Sequence, residues 1–179
     1  MSHLWSSHQV TAKQPNSRMC FICGLQNDKG MQAEFYEVDS NQVIGVFHAS
    51  EHFQGYPGRL HGGMASALLD ECVGRAIRLT HGDTMWGVTI DLNVKFRKPV
   101  TLNEPLLVVG RIAEEKRRRF HGTGEILLPN GTVAVEANGT YLKMPIKDIA
   151  GFDPQHEAWE VIPKHEDPTE IRLPQRSFN

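Results

Sequence analysis

Apolar and polar residues alternate without a break over residues 88–97. The apolar members of this run are Val88, Ile90, Leu92, Val94 and Phe96. A period of two residues is typical of a β-strand with one apolar and one polar face. The pattern therefore predicts a strand here, which Pro99 ends.

A different period covers residues 62–80. Its apolar side chains recur mostly at steps of three and four residues: Met64, Leu68, Leu69, Cys72, Val73, Ala76 and Ile77. This spacing predicts a long helix that ends at Gly82 and Asp83. Because apolar residues cover much of its circumference, we expect a curved sheet to wrap around the helix.

Five more runs predict strands. They cover residues 31–38, 42–49, 105–113, 118–128 and 132–144. The pair Asn130-Gly131 favours a tight hairpin turn between the last two. One long helix with a mostly antiparallel sheet of five to six strands belongs to the α+β class.

The two ends of the chain lack such patterns. Residues 1–18 are polar and aperiodic, and prolines recur through the last 35 residues, leaving room only for short turns. We therefore expect a flexible N-terminal arm at residues 1–18, one folded domain at 19–145 and an irregular C-terminal extension at 146–179.

Composition narrows the class of protein. The chain has 179 residues, of which 40% are apolar and 22% charged, as in ordinary globular domains. A formal net charge of −2 provides no basic field for nucleic acid, and no apolar run is long enough for a membrane span. With three cysteines and no signal-peptide pattern, the sequence predicts a cytoplasmic protein.

The start of the predicted helix is a candidate anion site. His61 is followed by Gly62 and Gly63, so no side chain shields the first backbone N–H groups. These groups have no partner within the helix, and the helix dipole makes this end partly positive. Such an end can bind a developing oxyanion. The alternative interpretation is that the two glycines only permit a tight turn.

Asp70 is the unusual polar residue of this helix. Glu71, Arg75 and Arg78 share one stripe, which the pattern predicts to be a solvated face. Asp70 lies off that stripe, beside apolar positions, where a carboxylate is costly unless it is paired or functional. Partial burial would favour its use as a general base. The alternative is that Asp70 bonds a neighbouring donor; Glu71 is a lesser candidate.

The distance between Gly62 and Asp70 has a consequence for assembly. Eight residues of helix separate them by about 12 Å along the axis. A carboxylate cannot direct water at a carbonyl held that far away. If both act in one site, they come from two subunits, and a twofold homodimer, or a dimer of such dimers, holds two equal sites at each interface.

The segment at residues 55–71, which contains His61-Gly62-Gly63 and ends in Asp70-Glu71, resembles the His-Gly-Gly signature of hotdog-fold acyl-CoA thioesterases of the phenylacetic-acid-degradation type. Two further stretches are similar to these proteins: the strand Gly-Val-Thr-Ile-Asp-Leu-Asn at residues 87–93, and Cys-Phe-Ile-Cys-Gly at 20–24. The resemblance implies the hotdog fold, in which the long helix lies inside a curved antiparallel sheet.

The resemblance also implies catalytic roles. The N–H of Gly62 would polarise the thioester carbonyl, and Asp70 would act as general base on water or as nucleophile. Thr89 would hold the water or the carboxylate. His61 would orient the loop or contact the thioester, unless it is a structural histidine.

Substrate-binding roles follow for two more residues. Gly63 would bind the substrate beside Gly62. Some relatives place an Asn before the histidine as a second carbonyl contact, whereas this chain has Gln54 in that region.

The basic run at residues 116–119 has two interpretations. It is either a solvated surface or a contact for the phosphates of CoA through Arg117, Arg118 and Arg119. Alternation of side chains puts Arg117 and Arg119 on one face and Arg118 on the other.

Cys20 and Cys23 form a C-x-x-C pair that is either half a zinc site, a redox pair or a structural lead-in. Zinc needs four ligands, there is no second cysteine pair, and the spacing of His48 and His52 fits no common motif. We therefore predict no metal.

The sequence thus predicts an enzyme that hydrolyses acyl-CoA to a carboxylic acid and free CoA, without a cofactor. One base and one oxyanion donor suffice for a thioester. The first alternative is a non-catalytic acyl-CoA binder on the same fold. A hotdog dehydratase or isomerase would need a different His/Asp arrangement, and a zinc module would need metal.

Overall fold

The computed structural model describes residues 4–149, 151, 153 and 155–175. Within these residues one long helix, α1 (Gly62–Arg75), packs on an antiparallel sheet of eight strands. The strands are β1 (Trp5–Lys13), β2 (Glu34–Val38), β3 (Gln42–His48), β4 (Trp86–Phe96), β5 (Pro105–Glu115), β6 (Arg119–Leu127), β7 (Val133–Met144) and β8 (Glu170–Pro174). Their order in the sheet is β4-β7-β6-β5-β3-β2-β1-β8.

Helix α1 is held inside the sheet. It contacts the five strands β3 to β7, so the sheet wraps around it as predicted. Leu68, Leu69 and Cys72 are fully buried, and each buried leucine contributes about 2 kcal/mol. Two glycines allow the close approach: a Cβ at Gly110 would lie 2.5 Å from the Cys72 carbonyl oxygen, and one at Gly124 would lie 2.6 Å from Val73.

The helical region is shorter and more broken than the pattern predicts. Helix α1 ends at Arg75, and one further turn, α2 (Arg78–His81), follows. Gly82 then ends the region with a φ of +56°, which glycine adopts readily. A short helix, α3 (Ile146–Ile149), follows β7, and 3₁₀ turns occupy Glu51–Phe53 and Gly82–Thr84.

The expectation of a flexible arm and an irregular extension is wrong for two segments. Strand β1 pairs with β2 on one side and with β8 on the other, which brings the sheet to eight strands rather than five to six. Ile171 and Leu173 are buried beside Val10 in a small second core. Residues 1–3, 150, 152, 154 and 176–179, to which these expectations also apply, lie outside the described residues.

The expectation that Arg75 and Arg78 lie on a solvated face is also wrong. Only 2% of Arg75 and 7% of Arg78 is exposed. The segment after β1 crosses this face of α1, and Arg75 donates to the carbonyl oxygen of Pro15 at 3.0 Å and lies over the ring of Phe35. The long aliphatic stem of an arginine lets it be buried if its guanidinium finds such partners.

No helix among the described residues combines the length and hydrophobicity that crossing a membrane requires.

Candidate active site

Asp70 lies on α1 facing strands β4 and β7, half-buried. Its Oδ1 accepts two hydrogen bonds, from Thr89 Oγ1 at 2.7 Å and from the Tyr141 hydroxyl at 3.2 Å. No hydrogen bond among the described residues uses Oδ2. One oxygen of the carboxylate is therefore fixed by two hydroxyl donors, and the other is free to accept a proton.

The register of β4 and β7 brings the two donors together. Thr89 and Tyr141 are directly paired across the strands, so their side chains share one face of the sheet. A β-bulge leaves Ile90 unpaired, because the register shifts between Thr89 and Asp91. In a regular strand Thr89 would lie on the face opposite Leu92, and the bulge turns it towards the helix instead.

Tyr141 is a member of the site that the sequence interpretation missed. It is fully buried and stacks on Phe120, with ring centroids 4.9 Å apart. Burial and the nearby Asp70 raise the pKa of its hydroxyl, so it stays protonated and donates. The sequence held a signal, because Tyr141 continues the apolar alternation of residues 135, 137 and 139, and the same positions are buried in β7.

At the other end of α1, His61 caps the helix. Its Nδ1 accepts from the N–H of Gly63 at 2.9 Å, and its backbone N–H donates to the carbonyl oxygen of Phe53. His61 therefore orients the loop, while the N–H of Gly63 is already engaged. No hydrogen bond of the described residues uses the N–H of Gly62, which remains the available donor at this end.

Gln54 lies in the loop before the histidine. Its Oε1 accepts from the N–H of Gly58 at 2.7 Å, which fixes the direction of the side-chain amide. Gln54 and His61 both line a cavity of about 790 Å³, whose apolar walls include Phe21, Phe53 and Met64. A smaller hollow of about 400 Å³ lies beside Gly62.

Within one protomer the structure groups the candidate residues in two places. Thr89 lies against Asp70 near the middle of α1. Gly62 and Gly63 lie with His61 and Gln54 at its start. Neither cavity at the helix start is lined by Asp70 or Thr89. Gly62 and Asp70 thus lie eight residues apart on the continuous helix α1, which corresponds to about 12 Å along its axis.

Arg117 and Arg118 lie in the turn between β5 and β6, and Arg119 is the first residue of β6; all three are exposed. Among the described residues none of Arg117, Arg118 and Arg119 forms an ion pair. The β6–β7–β4 register puts Phe120, Tyr141 and Thr89 in one row across the sheet, and Arg119 is one residue from that row. The basic segment therefore lies near the part of the sheet whose Thr89 and Tyr141 contact Asp70.

Cys20, Cys23 and Glu71 offer three metal-type ligand atoms, which lie within 4.8 Å of one another. His48 and His52 are not part of this group. Glu71, the lesser candidate for the base, accepts from Nε of Arg75 at 2.8 Å. The group is thus short of the four ligands of a structural zinc site, and its carboxylate is already paired.

The arrangement of one helix inside an antiparallel sheet is the hotdog fold. A thioesterase superfamily protein called RHA08564 has the same fold, with a TM-score of 0.64 and 26% identity over 70% of this chain and 60% of that one. A phenylacetic acid degradation-related protein of Ralstonia eutropha aligns with a TM-score of 0.57 and 23% identity, over 63% and 85% of the two chains.

Residues 57–143 match the model of the thioesterase superfamily. The match covers the His-Gly-Gly segment, α1, β4 to β6 and β7 up to Lys143, and it confirms the resemblance to thioesterases. The chain is also 27% identical over 126 residues to the acyl-coenzyme A thioesterase THEM4 of Bos taurus, which is 69% of this chain and 51% of that protein. The chain thus spans about half the length of this curated relative.

Proposed function

We propose that this protein hydrolyses acyl-CoA thioesters to a carboxylic acid and free CoA. The observation that carries the proposal is the Asp70 carboxylate, with Oδ1 held by Thr89 and Tyr141 and Oδ2 free. A protein that only bound acyl-CoA would have no use for a carboxylate fixed in this way. The superfamily match and the activity named for the bovine relative support the same reaction.

In the proposed reaction, Oδ2 of Asp70 takes a proton from a water molecule as the water oxygen attacks the thioester carbonyl carbon. The carbonyl oxygen becomes an oxyanion, which the N–H of Gly62 and the positive end of α1 stabilise. The C–S bond then breaks, and the CoA thiolate leaves and takes up the proton. In the variant in which Asp70 is the nucleophile, an acyl-aspartyl anhydride forms first and water hydrolyses it.

Both routes, with Asp70 as base or as nucleophile, require Gly62 and Asp70 in one site. We therefore propose a homodimer, or a dimer of dimers, in which each site takes Gly62 from one protomer and Asp70 from its partner. Two observations support this. Strand β4 is an edge of the sheet and leaves Ile90 55% exposed. Beside Gly62, 84% of Tyr56 and 57% of Phe96 are exposed. A partner subunit would cover this apolar surface.

The substrate's two ends have separate candidate contacts. We place the acyl group in the cavity beside His61 and Gln54, with the side-chain amide of Gln54 as a second donor to the carbonyl. We place the CoA phosphates at Arg117, Arg118 and Arg119, since these exposed guanidinium groups have no competing carboxylate among the described residues. The reaction needs no cofactor, and cytoplasmic location stays a prediction.

The direct test is release of free thiol from a panel of acyl-CoAs that differ in chain length and aromaticity. We expect turnover of at least one acyl-CoA, and a large loss of this turnover when the Asp70 carboxylate is removed. Tight binding of acyl-CoAs without release of thiol would instead identify the protein as the non-catalytic binder.

A further inference from the structure

Cys20 and Cys23 form a dithiol that the proposed hydrolysis does not use. They lie in the long connection between β1 and β2, and their sulfur atoms are within 4.8 Å of each other. Both are free thiols. Cys20 is half-buried, so solvent molecules can reach it, whereas Cys23 is fully buried.

The two thiols differ in their tendency to ionise. The hydrogen bond from the Cys23 thiol, aided by the backbone N–H of Ile22 at 3.4 Å, holds the pKa of Cys20 below its usual range although burial opposes this. The same hydrogen bond and burial raise the pKa of Cys23. An accessible thiolate beside a buried thiol is the arrangement that thiol–disulfide exchange needs.

A metal site accounts less well for these contacts. Only three ligand-type groups converge among the described residues, and Glu71 accepts a hydrogen bond from Arg75. Arg75 is almost completely buried, so its guanidinium adds a fixed positive charge next to the position that a cation would take. The same charge favours a thiolate, and it lowers the pKa of Cys23.

We propose that Cys20 and Cys23 are a thiol–disulfide exchange site for low-molecular-weight disulfides, with Cys20 as the attacking thiolate and Cys23 as the resolving thiol. The Cys20 sulfur attacks the disulfide RSSR and forms Cys20–S–SR, and one RS⁻ leaves. The Cys23 sulfur then attacks Cys20, which expels the second RS⁻. The protein dithiol is oxidised by two electrons, RSSR is reduced, and the two protein protons end on two RSH.

The order of the two steps follows from the charges. While the dithiol is reduced, the Cys20 thiolate accepts a hydrogen bond from the Cys23 thiol. A mixed disulfide at Cys20 carries no negative charge and is a poor acceptor for that hydrogen bond. The first step therefore removes the interaction that keeps Cys23 protonated, and Arg75 then favours the second thiolate.

The exchange has a consequence for the cavity, and this part rests on the proposed function. Phe21 lies between the two cysteines in sequence, and its ring meets that of Phe53 edge-on at 6.5 Å. Both rings line the cavity beside His61. We expect closure of the disulfide to move Phe21 and to change KM for acyl-CoA more than kcat.

Incubation of the full-length protein with oxidised glutathione, followed by mass spectrometry of its peptides, tests the site. The expected product is a Cys20–Cys23 disulfide, which lacks two hydrogen atoms. Cys72 is the internal control, because it is fully buried and burial raises its pKa to about 12. We expect Cys20 to react about a hundredfold faster than Cys72 at pH 7.

Two variants separate the roles. Cys23→Ser is expected to accumulate the glutathione adduct at Cys20, and Cys20→Ser to form neither adduct nor internal disulfide. Equal rates at Cys20 and Cys72, or no adduct in Cys23→Ser, would overturn the proposal. So would one equivalent of zinc in the purified protein that is lost in both variants.

The readout distinguishes this proposal from the proposed function. Disulfide formation is seen by mass without any acyl-CoA, so a protein that forms the disulfide but hydrolyses no acyl-CoA contradicts only the thioesterase. A protein that hydrolyses acyl-CoA, and whose thiols do not react with oxidised glutathione, contradicts only the exchange site. In an active protein, KM measured before and after oxidation tests the coupling, with Cys20→Ser as the insensitive control.

Discussion

Thr89 donates a hydrogen bond of 2.7 Å to Asp70 although 19 residues separate them in the chain. The contact exists because a β-bulge turns Thr89 towards α1. Tyr141, its partner across the strands, donates to the same carboxylate oxygen. The proposed base is thus held on one side only, and its second oxygen is left for water.

Replacing Asp70 by Asn removes the proton acceptor but keeps the size and polarity of the side chain. We expect kcat for acyl-CoA to fall by about 10²–10⁴-fold with little change in KM, because loss of a general base acts on the chemical step. Steady-state thiol release measures both constants. Asp91→Asn, at an exposed position of β4, is the matched control and should keep its kcat. An unchanged kcat in Asp70→Asn would rule out this carboxylate as the base.

Gly62→Pro removes one backbone N–H and little else. Gly62 is the first residue of α1, and the residue before it has an extended ψ of 135°, so a proline is tolerated there. We expect kcat to fall by about 10²–10³-fold, as for loss of an oxyanion donor. Gly62→Ala keeps the N–H and should stay within a few-fold of the unmodified protein. Similar losses in both variants would point to crowding of Phe96 rather than to the N–H.

Mixing two inactive variants tests whether the site is shared between subunits. A dimer of one Asp70→Asn and one Gly62→Pro protomer contains one intact site and one doubly defective site. After unfolding and refolding of an equal mixture, half of the dimers are mixed, so we expect about one quarter of the original activity. Activity no higher than that of either variant alone would place both groups in separate sites.

Neutralising the basic segment should weaken binding of CoA. We expect Arg117→Ala, Arg118→Ala and Arg119→Ala together to raise KM for acyl-CoA at least about tenfold, because hydrogen bonds to charged groups contribute about 1.5–3 kcal/mol each. KM for a short thioester without the nucleotide should not change. Arg172→Ala, on β8, is the control for loss of positive charge. An equal rise in KM for both substrates would contradict a role in phosphate binding.

Asp167 ties the C-terminal segment to β1 and β2, and this contribution depends on pH. Burial opposes ionisation of its carboxyl, but hydrogen bonds from Lys13, the N–H of Lys164 and Tyr36 outweigh it and lower the pKa from 3.8 to about 2. Because the folded pKa is the lower one, the stabilisation is present above about pH 4 and is lost as the pH falls through 2.

Asp167→Asn should therefore lower the free energy of unfolding at pH 7 by about 1 kcal/mol, with the difference shrinking towards pH 2. Urea unfolding at several pH values measures it. Asp28→Asn, which breaks an exposed pair with Lys29, is the control and should change nothing measurable. A difference that is the same at pH 2.5 and pH 7 would contradict an electrostatic origin.

Much of the fold follows from local periodicity. The helix at residue 62 and the strands from 42 to 144 lie where the patterns predict them, because each buries one apolar face in this sheet. Strand β1 was missed because its side chains are mostly polar, and it is held by backbone pairing with β2 and β8. Backbone pairing leaves no mark in a pattern of side chains.

By itself the sequence determined the α+β class, the glycine start of α1 and the candidate role of Asp70, since these depend on residues close together in the chain. Only the tertiary structure decided what surrounds them. It buried Arg75 under the segment after β1, brought Tyr141 to Asp70 and used the bulge at Ile90 to turn Thr89 inward. These contacts depend on strand register and on packing between distant segments, neither of which the order of residues shows.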